Sequence, residues 1–211
     1  MTISETFPSI PEVLPEGQLG LATIRHFEVS QQDAAFTLMR QAATGGREQA
    51  VRPGKYAQLL VGRTLMMSDT QMERRSNYEV VRRADGEVFI AGLGLGMILH
   101  PILAKENVTR VTVVEKYADV IKLVAPTLPH QEKLRIVEAD VLDWKPEKGT
   151  RYDVVYFDIW PNITTDNQED MALLHKRFAH YKRPGGWMDS WMRDTLKARK
   201  RQKATRRGGW Y

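Results

Sequence analysis

Three glycines at alternate positions are the first sign in the sequence of residues that could do chemistry. They form the run Gly92-Leu93-Gly94-Leu95-Gly96, which follows an apolar run at 88–91 and precedes a helical pattern from Met97. Glycine lets the backbone turn sharply and lets a ligand approach where a Cβ atom would collide with it. A helix start adds backbone N–H groups without partners inside the helix. We therefore predict that Gly92, Gly94 and Gly96 form a nucleotide-binding glycine loop.

An acidic residue downstream strengthens this prediction. Glu115 ends the next apolar run, 19 residues after Gly96. A carboxylate at that place can accept hydrogen bonds from both ribose hydroxyls of an adenosine ligand, and a helix-capping acid is the alternative interpretation. In the dinucleotide pattern G-x-G-x-x-G the third glycine would fall on Met97. The spacing therefore argues against a pyrophosphate ligand.

A second acid, Asp158, ends the fourth apolar run of the same region. Open α/β sheets bind ligands at the carboxyl edge of their strands, so we expect Asp158 on the floor of the cleft. There it would accept a hydrogen bond from an incoming amine or hydroxyl. Trp160 and Asn162 are predicted to give the substrate an aromatic wall and an amide. The alternatives are a loop-capping carboxylate for Asp158 and a packing role for Trp160.

The elements that must position these residues are read from short apolar runs that alternate with helical patterns. Such runs suit strands buried on both faces. Strand–helix–strand alternation calls for right-handed crossovers and a parallel sheet. The predicted strands are 88–91, 111–114, 134–137, 154–157 and 187–191, the last after a turn at 184–186, and the predicted helices are 97–105, 117–124 and 166–181. Asp166 and Glu169 form a capping-box pattern at the start of the last helix.

Smaller elements are predicted before this sheet. Residues 1–20 carry several prolines and glycines and are expected to be irregular. A helix is predicted over 30–43 and a β-hairpin over 56–68. The neighbouring Arg74 and Arg75 predict a solvated turn, with a grip on an anionic substrate as the alternative.

Residues 87–191 resemble a class I S-adenosylmethionine-dependent methyltransferase, through the glycine loop, Glu115, the acid in Val137-Glu138-Ala139-Asp140, Asp158 and the turn at 184–186. The resemblance implies an α/β, Rossmann-like fold with a mostly parallel sheet and S-adenosyl-L-methionine as cofactor. It implies that the glycine loop packs on the methionine part, that Glu115 binds the ribose and that Asp140 contacts the adenine. It further implies methyl transfer to a small-molecule or nucleic-acid substrate, with Asp158 orienting or deprotonating an N or O nucleophile.

The N-terminal part is similar in layout to spermidine synthases, which move an aminopropyl group from decarboxylated S-adenosylmethionine. The hairpin around Gly62, then Met72-Glu73, Tyr78-Glu79 and the glycine loop, together with the stretch YDVVYFD at 152–158, carry this resemblance. The amine-binding acids of the two families would fall on Ile90 and Leu95, and the expected glutamine near Leu65. A methyltransferase with a spermidine-synthase-like hairpin is therefore the preferred interpretation. An aminopropyltransferase is the alternative.

Composition limits the remaining possibilities for these 211 residues. The absence of cysteine excludes a disulfide scaffold, a thiolate zinc site and a cysteine nucleophile, and no metal site is predicted. No run of about 18 or more apolar residues is present, so no membrane span is expected. The first five residues lack the pattern of a secretory signal, which predicts a cytoplasmic location.

The chain divides into a lead-in with a helix and hairpin at 1–84, a cofactor-binding domain at 85–191 and a basic tail at 192–211. Residues 191–211 carry a net charge of +7, whereas the rest of the chain carries −2. The basic stretch at 193–207 attracts polyanions. The alternatives for it are a solubilising tail, a nucleic-acid contact in a non-catalytic binding module, and a contact with an anionic surface or protein.

The C-terminal end is short for the family, without a further hairpin after the fifth strand. The N-terminal hairpin or a second subunit is predicted to cover the sheet edge that this leaves exposed. A homo-oligomer is part of this prediction.

Overall fold

A computed structural model of the chain describes residues 3–45 and 50–198. The strands in these ranges are β1 (Gly17–Leu19), β2 (Ala22–Val29), β3 (Gly54–Val61), β4 (Thr64–Ser68), β5 (Gly86–Ala91), β6 (Val108–Glu115), β7 (Leu134–Glu138), β8 (Tyr152–Phe157) and β9 (Lys182–Ser190). The helices are α1 (Ile3–Thr6), α2 (Ile10–Val13), α3 (Gln31–Ala43), α4 (Gln71–Ser76), α5 (Tyr78–Arg83), α6 (Leu99–Leu103), α7 (Ala118–Val124) and α8 (Asn167–Phe178). Residues 193–198 are also helical. Most of the basic stretch 193–207 lies outside the described residues.

Residues 86–190 contain a five-stranded parallel sheet, which confirms the predicted α/β class. Its strand order is β7-β6-β5-β8-β9, and all four pairings are parallel. The central strands are apolar and buried on both faces, which explains why their sequences read as continuous apolar runs. The chain runs outward from β5 to β7 and then returns to β8 on the other side of β5. This reversal leaves a crevice at the carboxyl ends of β5 and β8.

The last strand departs from its prediction. The expected turn at 184–186 lies inside β9, which begins at Lys182 instead of residue 187. Tyr152 pairs with Lys182 and Val154 with Trp187, so the register shifts between them and the extra residues form a bulge. The Pro-Gly-Gly sequence at 184–186, which predicted a turn, therefore lies in a β-bulge.

The N-terminal segment forms a second, antiparallel sheet of order β1-β2-β3-β4. The hairpin predicted at 56–68 is present as β3 and β4. The prediction that residues 1–20 are irregular is wrong, because β1, α1 and α2 lie there. The hairpin does not pair with an edge strand of the parallel sheet, because β3 pairs with β2 in the N-terminal sheet, and coverage of that edge by a second subunit stays a prediction.

Helix boundaries agree with the sequence in one case and differ in another. Ser30 caps α3 as expected, because its Oγ accepts from the Asp33 N–H at 3.1 Å and Asp33 bonds back. The prediction of a capping box at Asp166 is wrong, because the Asp166 side chain makes no capping hydrogen bond. Asn167 accepts from the Thr164 N–H at 2.7 Å instead. In the described ranges no helix has both the length and the apolar character that crossing a membrane requires.

A buried ion pair anchors α4 to the N-terminal sheet. Asp69 is fully buried and accepts from the Ala57 N–H at 2.7 Å and from the Arg74 guanidinium at 2.9 Å. Arg74 also donates to the Pro8 carbonyl at 3.1 Å. The prediction of a solvated turn is therefore wrong for Arg74, although Arg75 is exposed. The pair matters for the site because α4 carries one of its side chains.

Candidate cofactor and active site

A pocket of about 350 Å³ opens at the carboxyl edge of the parallel sheet, where β4 and α4 lean over it. Its lining joins residues that are distant in sequence: Gly92, Leu93, Gly94, Glu115, Asp140, Asp158, Trp160, Met67 and Glu73. This is the crevice that the strand reversal creates. Most of the residues predicted from the sequence thus lie around one cavity.

The glycine loop has the conformation and the close contacts that only glycine tolerates. Gly92 has φ +98° and a Cβ atom there would collide with the carbonyl oxygen of Asp158. Gly94 has φ +53° and lies against the Met67 sulfur, which also accepts from the Leu95 N–H at 3.2 Å. Gly96 does not line the pocket. A Cβ atom on Gly96 would lie 2.8 Å from Leu128, so this glycine serves helix packing.

Glu115 is buried at the end of β6 and fixes the loop in front of it. Its Oε2 accepts from the Leu93 N–H at 2.8 Å and its Oε1 from the Tyr117 N–H at 2.9 Å. Burial raises the pKa of Glu115, and the backbone hydrogen bonds partly offset that rise. The backbone N–H groups of Lys116 and Gly94 also favour its charged form, so a ribose hydroxyl would share this carboxylate with backbone donors. The capping role considered from the sequence is present as well.

Asp140 lies on the same wall after β7. Its Oδ2 pairs with the Lys116 ammonium at 2.8 Å, and its Oδ1 accepts from the Leu142 N–H at 2.9 Å. The hydrogen bond and charge of Lys116 lower the pKa of Asp140. This carboxylate is therefore ionised at neutral pH and can accept from an exocyclic amino group.

Asp158 lies on the pocket floor after β8. Burial raises its pKa to about 7, against the opposing effect of a hydrogen bond from Asn77. Asn77 is fully buried and also accepts from the Tyr156 hydroxyl at 2.9 Å. The carboxyl group is thus oriented by a residue of the N-terminal segment. A carboxyl group with a pKa near neutrality suits proton transfer.

Glu73 lines the pocket, although no site role was predicted for it from the sequence. It lies on α4, is 7% exposed and lines the same cavity as Asp158. Burial, and then the charge of Asp158, raise the pKa of Glu73 to about 8. Among the described residues its carboxyl group has no hydrogen-bond or ion-pair partner. The available signal was the Met72-Glu73 pair in the layout that resembles spermidine synthases.

The two predicted substrate residues differ in position. Trp160 is buried, lines the pocket and donates from its indole N–H to Asp170 at 3.4 Å. Asn162 is exposed and does not line the pocket, so the structure lends its predicted substrate role no support. Trp191 is a further aromatic lining residue, held by a 2.9 Å hydrogen bond to the Ser76 hydroxyl.

No family model matches this chain, and no curated protein matches it. N-methyltransferase NodS from Bradyrhizobium japonicum WM9, solved with S-adenosyl-l-homocysteine, is similar at 14% identity over 58% of this chain and 62% of that chain, with a TM-score of 0.46. The CcbJ methyltransferase from Streptomyces caelestis is 20% identical over 55% of this chain and 47% of that chain, at 0.42. Spermidine synthase from Thermotoga maritima is 15% identical over 69% of this chain and 47% of that chain, also at 0.42. This chain therefore spans 47% to 62% of the length of these three proteins.

Proposed function

We propose that this chain binds S-adenosylmethionine and transfers its methyl group to a nitrogen or oxygen nucleophile. The observation that carries the proposal is the meeting of Gly92, Gly94, Glu115, Asp140 and Asp158 around one pocket at the strand reversal. Glu115 would hold the ribose and Asp140 the adenine amino group. The sulfonium would then lie between the glycine loop and Asp158.

Methyl transfer in this site is an in-line displacement. The nucleophile attacks the methyl carbon opposite the sulfur, the carbon–sulfur bond breaks, and its electron pair stays on the sulfur. The proton of the nucleophile passes to the Asp158 carboxylate. The pocket contributes alignment, and Asp158 contributes a base whose pKa burial has raised to about 7.

Aminopropyl transfer is the second candidate, and one observation favours it. Two carboxyl groups, Glu73 and Asp158, line the pocket together, and such a pair suits a cationic diamine as acceptor. In that reaction the donor is decarboxylated S-adenosylmethionine, and the same base would accept the proton of the attacking amine.

Calorimetric titration of the purified chain with S-adenosylmethionine, beside its decarboxylated form, tests the proposal. We expect S-adenosylmethionine to bind at least about tenfold more tightly, a difference of about 1.4 kcal/mol. A preference for the decarboxylated donor, together with turnover of a diamine, would establish the second candidate instead. Binding of neither ligand would contradict both.

A further inference from the structure

The donor proposed above carries an α-ammonium group. In the two families that this chain resembles, an acid binds that group, and the matching positions here are Ile90 and Leu95. Ile90 and Leu95 are both fully buried and apolar. A cation that leaves water for a partly enclosed pocket needs a carboxylate or similar partner, because nothing else offsets the free-energy cost of its desolvation. Another residue of the lining must therefore meet the ammonium if the donor binds.

The acids of the lining differ in what they already bind. Glu115 accepts from backbone N–H groups, Asp140 pairs with Lys116, Asp158 accepts from Asn77 and Asp170 accepts from Trp160. The remaining acid of the lining, within the part of the chain described, is Glu73.

The burial of Glu73 and the lack of a partner for its carboxyl group are the features expected of a cation-binding residue. The residue is 7% exposed and borders the same cavity as Gly92, and its carboxyl group has no hydrogen-bond or ion-pair partner in the described ranges. It also lies near enough to Asp158 for the charge of one to act on the other. An unpaired buried carboxyl group is costly, and a bound ammonium removes that cost.

We propose that Glu73 binds the α-ammonium group of the donor, an inference that rests on the proposed function. The helix that carries Glu73 is fixed by the Arg74–Asp69 pair on one side. Asn77 follows the same helix and bonds to Asp158 on the other side. Donor binding would therefore connect the N-terminal sheet to the parallel sheet through one ion pair.

A thermodynamic cycle tests this assignment with two ligands and two proteins. The ligands are S-adenosylhomocysteine and its analogue with hydrogen in place of the α-amino group, and the proteins are the full wild-type chain and Glu73→Gln. We expect Glu73→Gln to lower the affinity for S-adenosylhomocysteine about tenfold to a hundredfold, the range for a charged hydrogen bond. The affinity for the deaminated analogue should be equal in both proteins.

Glu79→Gln is the matched control, since Glu79 is exposed, pairs with Arg82 and lies outside the pocket. It should leave the affinity for both ligands unchanged. An equal loss for both ligands in Glu73→Gln, or no loss for either, would overturn the assignment. Wild-type protein that binds the two ligands equally would overturn it without any variant. Wild-type protein that binds neither would overturn the proposed function itself, and this inference with it.

Discussion

At the scale of single residues, environment separates four carboxyl groups into two pairs. Glu115 and Asp140 have fixed partners, which suits them to hold a ligand in place. Glu73 and Asp158 lie where burial raises their pKa to about 8 and about 7. The second pair can exchange a proton near neutral pH, whereas Asp140 stays ionised.

The first residue-scale prediction concerns the ribose contact. Glu115→Ala should weaken binding of S-adenosylhomocysteine by roughly 1.5–3 kcal/mol, because hydrogen bonds to a charged carboxylate are lost. Glu138→Ala is the control, since Glu138 pairs with Glu115 in register, ends the neighbouring strand and is exposed. Calorimetry measures both. An unchanged affinity in folded Glu115→Ala protein would remove Glu115 from the site.

The second residue-scale prediction concerns stability and pH. A carboxyl group whose folded-state pKa is raised favours folding while it is protonated, and that contribution is lost as pH rises through the folded pKa. For Glu73, with a pKa moved from 4.5 to about 8, the loss between about pH 5 and pH 9 is on the order of 4 kcal/mol. Asp158 adds a loss of the same sign, and Tyr156 beside both titrates only at higher pH.

Glu73→Gln should remove its own part of this loss. Urea unfolding of ligand-free protein at pH 5, 7 and 9 should therefore show a shallower decline for Glu73→Gln than for wild type. Declines that run parallel would mean that Glu73 does not titrate as its burial implies.

The site residues that were predicted from the sequence and Glu73, which was not, owe their positions to different kinds of contact. The glycine loop, Glu115 and Asp158 follow buried strands directly, and parallel strands bring their carboxyl ends to one edge. Their meeting was therefore predictable from local pattern. Glu73 lies in the pocket because the junction of α4 and α5 contacts β8, where the Tyr156 hydroxyl donates to Asn77, 79 residues away in the sequence. No local pattern encodes such a contact.

At the scale of elements, β4 packs against the glycine loop through the Met67 side chain. Gly94→Ala should therefore cost stability twice, by about 1–2 kcal/mol of left-handed backbone strain and by collision with the Met67 sulfur. Gly62→Ala is the matched control, since Gly62 has φ +60° with nothing within 4 Å of a Cβ atom. Urea unfolding should show the larger loss for Gly94→Ala, and only that variant should also lose ligand affinity. Equal losses would show that Met67 does not pack there.

Strand prediction succeeded where an apolar run marked the strand, including the partly buried β4 and β7, and failed where no such run did. The β5, β6 and β8 runs are buried on both faces, so their apolar character alone identified them. In contrast β1 is three partly exposed residues, and its sequence Gly17-Gln18-Leu19 shows no strand pattern. In β9 the Pro-Gly-Gly sequence looked like a turn because a bulge uses the same residues.

At the scale of the whole molecule, two sheets share one pocket while the net charge is concentrated at one end. Truncation after Ala198 removes six basic residues and no acid, and keeps Leu196, which is 2% exposed. If the basic stretch contacts nucleic acid, the wild-type affinity for a single-stranded oligonucleotide should fall as salt is added. A plot of the logarithm of the binding constant against the logarithm of the salt concentration should have a slope as steep as roughly −4. The truncation should bring that slope toward zero.

Truncation after Arg207 is the control for length, because it removes Gly208-Gly209-Trp210-Tyr211 and keeps every basic residue. It should retain the salt dependence, as measured by fluorescence anisotropy over a series of salt concentrations. A slope near zero in wild type would make the basic stretch a solubilising segment. Binding without turnover of any donor would instead favour the non-catalytic module.

The proposed function requires that an adenosine donor bind in the pocket between the glycine loop and Asp158. A crystal structure of the chain grown with saturating S-adenosylhomocysteine tests it most directly. We expect the ribose hydroxyls on Glu115, the adenine amino group at Asp140 and the sulfur facing Asp158. A ligand bound elsewhere, or a pocket that stays empty at saturation, would contradict it.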